Sequence, residues 1–161
     1  MRRPTLALCL FLLSLSGAAQ AASAADVFTT LAGEWSGVGT VNFSDNSQER
    51  LRCRAAYDVL RSGDQLQLSI RCASPSYNFD LLGKATDDGG RITGSWNEAS
   101  MNVAGQLAGV ARGNRIDVTA SSAGFTATLG LVTRDRQQSV SIHSQDPSSK
   151  LRGATITLTR R

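Results

Sequence analysis

"GEWSGVGTVNF", Gly33 to Phe43, decides the fold of this 161-residue chain. Its glycines and single tryptophan admit two readings. A phosphate-cradling loop sets its glycines between a strand and a helix, with a Lys-Ser/Thr pair or a helix N-terminus to meet the charge. No lysine follows Gly39 here, and nothing after it carries helical periodicity. The stretch alternates instead, so that Trp35, Gly37, Gly39, Val41 and Phe43 share one face. Small residues on an inner face let a sheet bend sharply. The stretch is therefore predicted to be the first strand of a curling sheet, with Trp35 plugging one end.

The same alternation recurs along the chain. Ser62-Gly63, Asp87-Asp88-Gly89-Gly90 and Gly113-Asn114 are turn signals between alternating runs. Strands are expected near 33–43, 49–60, 65–73, 77–86, 91–98, 101–111, 115–121, 125–133, 136–144 and 153–160. The only helical signal is a short turn around 25–31, and Pro75 and Pro147 fall in connections. The fold class is all-β, a single antiparallel up-and-down barrel of about 8–10 strands.

The start of the chain reads as an export signal. Arg2 and Arg3 precede an apolar run over 6–15, and Ala19-Gln20-Ala21 fits a cleavage site. A membrane-spanning helix needs roughly 20 apolar residues, so the run is too short to span. The expectation is a signal peptide over 1–21, one domain over 22–161, and a periplasmic or secreted monomer without stable membrane insertion. Losing Arg2 and Arg3 lowers the formal charge from +4 to +2, which argues against a nucleic-acid partner.

Cys53 and Cys72 remain. In an exported chain two cysteines favour a disulfide. A two-residue turn at Ser62-Gly63 sets Val59 opposite Leu66, Tyr57 opposite Leu68, Ala55 opposite Ile70 and Cys53 opposite Cys72, all on one face. That turn puts the cysteines at a hydrogen-bonded rung, where the Cα atoms stand farther apart. A metal site is disfavoured, because zinc wants four ligands and His143 is the only histidine. The other face of this hairpin carries Arg50, Arg52, Arg54 and Arg71. The plain reading is a solvated outer face. The sharper reading is an anion-binding stripe for a glycan, a phosphate or an acidic protein.

Gly33-Glu34-Trp35 resembles the Gly-x-Trp that opens the first strand in the calycin superfamily of lipocalins, avidins and fatty-acid-binding proteins. In that group an arginine near the end of the last strand packs over the tryptophan. The chain ends "ATITLTRR", where Ile156, Leu158 and Arg160 share a face, so the resemblance implies a Trp35–Arg160 pair. "GEWSGVG" is also similar to the opening of nitrobindin-like haem proteins, but the aromatic and proline-containing segment expected after Val41 is absent. The resemblance implies an antiparallel barrel with Tyr57, Leu66, Leu68, Ile70, Phe79, Trp96, Leu107, Phe125, Leu129 and Ile142 among its inward side chains. The residues favour a filled interior slightly over a cavity.

Catalytic chemistry finds little support. His143 is expected to point outward beside inward Val140 and Ile142, and no Gly-x-Ser-x-Gly elbow is present. Glu34 and Glu98, each near a tryptophan, are expected to face outward. The expected function is non-enzymatic binding without a cofactor. A small hydrophobic or amphipathic ligand would sit at the mouth near Tyr77, Phe79 and Trp96, with Tyr57 a further ligand-binding residue. The alternative is an inhibitor or partner of an envelope or secreted protein. It would act through the arginine face, the loops around Ser74, Ser76 and Tyr77, or a free segment over 22–30.

Overall fold

The computed structural model describes residues 26–60 and 63–161. The expected signal peptide therefore lies outside the described residues. A short helix, α1 (Asp26–Thr29), precedes ten strands. They are β1 (Gly33–Phe43), β2 (Gln48–Leu60), β3 (Gln65–Ala73), β4 (Asn78–Asp88) and β5 (Arg91–Glu98). There follow β6 (Val103–Arg112), β7 (Arg115–Ser122), β8 (Phe125–Arg134), β9 (Gln137–Ser144) and β10 (Leu151–Arg160). Each strand pairs antiparallel with its sequence neighbours, and β1 pairs with β10 to close the barrel. The all-β up-and-down barrel read from period-two alternation is the observed fold.

Turn chemistry sets the hairpins. Gly89 and Gly90 take φ values of 59° and 90°, as a two-residue type I′ connection between β4 and β5 requires. The β2–β3 connection differs from expectation. Its ladder closes at Leu60↔Gln65, and the Gly63 N–H donates to the Leu60 carbonyl at 3.3 Å. Asp64 therefore belongs to the turn, whereas a two-residue turn at Ser62-Gly63 would have placed it in the ladder. Lengthening a turn equally on both sides keeps every cross-strand partner but exchanges the two kinds of rung. Cys53 still faces Cys72, now at the close, non-hydrogen-bonded rung, with a Cα separation of 4.1 Å and a disulfide between them.

Inward glycines let the strands coil tightly. A Cβ on Gly37 would lie 1.9 Å from the Thr157 carbonyl oxygen of β10. One on Gly105 would lie 2.0 Å from the Ser121 carbonyl oxygen and 2.9 Å from Cε2 of Trp96. No other residue type fits those corners. At the β1 start, Val27, Phe28 and Leu31 are buried and stopper the barrel.

Two measurements check this account. Replacing Cys53 and Cys72 together by serine should lower stability by about 2–5 kcal/mol in chemical denaturation, and a reductant should bring the native protein to the same value. Gly37→Ala should cost about 2–4 kcal/mol, through displacement of β10 from β1.

Candidate functional site

The two ends of the barrel are built differently. At the α1 end, Trp35 is fully buried, and its indole N–H donates to the Leu31 carbonyl at 2.7 Å. Arg160 faces Trp35 across the β1–β10 ladder, with its guanidinium carbon 4.7 Å from the ring centroid. The same guanidinium donates to the Thr30 carbonyl. Tyr57 meets Trp35 edge-on at 6.5 Å, and its hydroxyl donates to Oε1 of Gln138 at 2.7 Å. Burial pushes the Tyr57 hydroxyl well above its ordinary pKa, against a smaller opposing effect of Gln138, so it stays a neutral donor. This end is closed, and Tyr57 lies at it.

Antiparallel alternation carries the ends of β1, β3 and β5 and the starts of β4 and β8 to the opposite end. Aromatic side chains collect there. Tyr77 lies edge-on to Phe43 at 6.2 Å, and Trp96 lies edge-on to Phe125 at 6.0 Å. The space above Gly105 lets the Trp96 indole cross β6, where its N–H donates to the Gln106 carbonyl at 3.1 Å. Between the two ends lies an apolar cavity of about 170 Å³. It runs from Phe28 and Leu31 to Tyr77, Phe79, Trp96 and Phe125, and Tyr57 forms part of its wall. Leu107, Leu129 and Ile142 face this space yet are only half-buried, so the interior is not filled as the residue list suggested.

Two carboxylates shape the rim, and sequence reasoning missed both roles. Glu98 was expected to face outward. It lies two residues from Trp96, shares its inward face and is 1% exposed. It accepts the N–H groups of Asp80 at 2.8 Å, Ser100 at 3.2 Å and Met101 at 2.7 Å. Burial acts to raise its pKa, but these hydrogen bonds together outweigh it and hold the carboxyl below its ordinary range. Counting parity from Trp96 would have found it. Glu49 accepts the hydroxyls of Ser74 and Ser76, each at 2.5 Å, and the Ser76 N–H at 3.1 Å. These bonds pin the β3–β4 loop to β2. Ser74 and Ser76 therefore have internal partners. Burial, and secondarily the Glu98 charge, raise the pKa of Tyr77 on that loop.

The four hairpin arginines meet on the outer wall. Arg50, Arg52, Arg54 and Arg71 line a surface groove of about 670 Å³ with Ser36, Val38, Asp80 and Arg161. His143 is exposed, opposite Thr128 and Gly153. Among the described residues no group of three or more His, Cys, Asp or Glu side chains is placed to hold a metal.

Two of the solved structures that the barrel is similar to mark out the likeness. One is the protein Rv2717c of M. tuberculosis, with a TM-score of 0.69 and 12% identity over 86% of this chain and 98% of that one. The other is the S-type phycobiliprotein lyase of Guillardia theta, with a TM-score of 0.59 and 10% identity over 86% and 93%. At such identities the likeness shows a shared fold alone. No family model matches the chain, and no curated protein matches it in sequence.

Glu98 makes the rim sensitive to acid. A carboxylate whose pKa is depressed by folding contributes stability above its unfolded value, near 4.5, and loses it as pH falls through the folded value. Glu98→Gln should therefore be less stable than the native protein near pH 7, and the gap should narrow by about pH 3. Denaturation curves at both values check this, and an unchanged gap would rule out the carboxylate clamp.

Proposed function

We propose that this chain is an exported, monomeric, non-enzymatic binding protein of calycin-like type. It takes a small hydrophobic molecule, or the apolar end of an amphipathic one, through the mouth bounded by Tyr77, Phe79 and Trp96. The observation that carries the proposal is the carbon-lined interior of about 170 Å³, left partly open by side chains that face it. An apolar cavity of roughly 150 Å³ stays dry and accepts a benzene-sized guest. Drug-sized ligands need roughly 300 Å³ or more, so the ligand is one ring or a short alkyl segment. The lining holds no carboxylate, imidazole or free thiol, which suits holding better than chemistry. The Cys53–Cys72 disulfide suits an oxidising compartment and so supports export. The likeness to a phycobiliprotein lyase is compatible with a barrel that handles a ligand.

The inhibitor reading loses one of its routes. Val27 and Phe28 are buried in the stopper, so the part of 22–30 that the structure describes is not free to enter a protease cleft. Its other routes, the arginine face and the loop around Ser74, Ser76 and Tyr77, are separate surfaces.

Thermal shift with short alkylbenzenes tests the proposal. Ligand at a hundred times its Kd should stabilise by about 2.7 kcal/mol and change the emission of Trp96. Leu107→Trp, which fills the cavity from β6, should abolish the shift while the barrel still melts cooperatively. Trp96→Phe should keep the shift and lose the emission change. No shift with any small apolar ligand, together with greater stability in Leu107→Trp, would mark the cavity as a packing gap.

A further inference from the structure

The groove on the outer wall borders the interior, since Cys53, Cys72 and Phe79 line both, but its exposed side chains have their own chemistry. Arg50, Arg52 and Arg54 alternate along β2, so their Cα atoms stand about 6.6 Å apart in one row. Arg161 lies at the α1 end of the same groove, where its Nε donates to the Ser36 hydroxyl at 3.0 Å. Arg71 lies directly opposite Arg54, a pairing of like charges that is unfavourable across a ladder. The one carboxylate in the groove, Asp80, pairs with Arg71 at 3.2 Å. Among the described residues Arg50, Arg52 and Arg54 have no ion-pair partner. A chain of net charge +4 thus concentrates five arginines on one groove and leaves most of them uncompensated.

We propose that this groove binds a linear acidic polysaccharide, with Arg50, Arg52, Arg54 and Arg161 meeting successive sulfate or carboxylate groups. Guanidinium forks match such oxyanions bidentately. A row of regularly spaced forks on a rigid strand suits a ligand whose charges recur along an extended chain. Protein interfaces centre on buried aromatic or apolar anchors, whereas the only exposed large apolar side chain in this groove is Val38. Single-stranded nucleic acid is held by stacking on aromatic rings, and among the described residues none of the exposed large apolar side chains is aromatic. An anion seated between Arg54 and Arg71 would also relieve their repulsion.

Heparin serves as the probe, with polyuridylate and polyglutamate as the competing classes. The native protein should bind heparin at low salt, with affinity falling steeply as salt rises. Arg52→Glu with Arg54→Glu should weaken binding by about 10–100-fold, whereas Arg91→Glu with Arg112→Glu, an equal charge change on another wall, should change it less than about twofold. The alkylbenzene shift should be unaffected in both variants, which separates failure of this site from failure of the interior one. If the reversed pair melts early, Arg52→Gln with Arg54→Gln makes the same comparison without introducing acids. Equal loss in the two charge-reversed variants, or no heparin binding by the native protein, would overturn the site. Polyuridylate or polyglutamate binding as tightly as heparin would overturn its assigned occupant.

Discussion

The barrel depends on the seam between its first and last strands, and the seam is held where Arg160 covers Trp35. A cation over an indole face is favourable by roughly 0.5–2 kcal/mol. Here the two residues are also rung partners, so the contact fixes the β1–β10 register as it forms. Trp35 anchors to Leu31 and Arg160 to Thr30, which ties the stopper segment to both strands at once. Nε of Arg160 is buried without a hydrogen-bond partner, so the ring and the Thr30 carbonyl, rather than a saturated polar cage, orient the guanidinium.

That closure makes the molecule polar at its ends and apolar in between. Buried polar atoms cost free energy unless paired. At the closed end Tyr57, Gln138 and Thr133 satisfy one another. At the rim Glu98 and Glu49 gather loop donors. The middle is lined by apolar side chains and by the Cys53–Cys72 disulfide. The glycines that let the sheet curl do not supply the central space, because neighbouring strands or Trp96 occupy the positions of their missing Cβ atoms.

Much of this was legible in the sequence, for physical reasons. A strand has a strict period of two, and turns need residues that tolerate unusual backbone angles, so each strand appeared close to its expected place. The cysteine pairing was legible because one face of the hairpin had to hold Tyr57, Leu66 and Leu68 together. The turn length was not, since a symmetric change leaves every partner in place. Long-range polar contacts left no local mark: Glu49 meets Ser74 across 25 residues, and Tyr57 meets Gln138 across 81. Glu98 was legible and misjudged, for its parity with Trp96 already placed it inside. The cavity was beyond reach, because the space left at the centre depends on how Leu107, Leu129 and their neighbours splay.

The pairing order has a consequence for how the chain reaches this state. Every hairpin from β2 to β10 joins neighbours in sequence and can zip locally, while the β1–β10 pairing must wait for the two ends of the domain to meet. Until then the assembling meander carries two raw edges able to recruit strands from other copies. Ring closure is thus the entropically demanding step of folding, and the interval before it is when this protein is most open to aggregation.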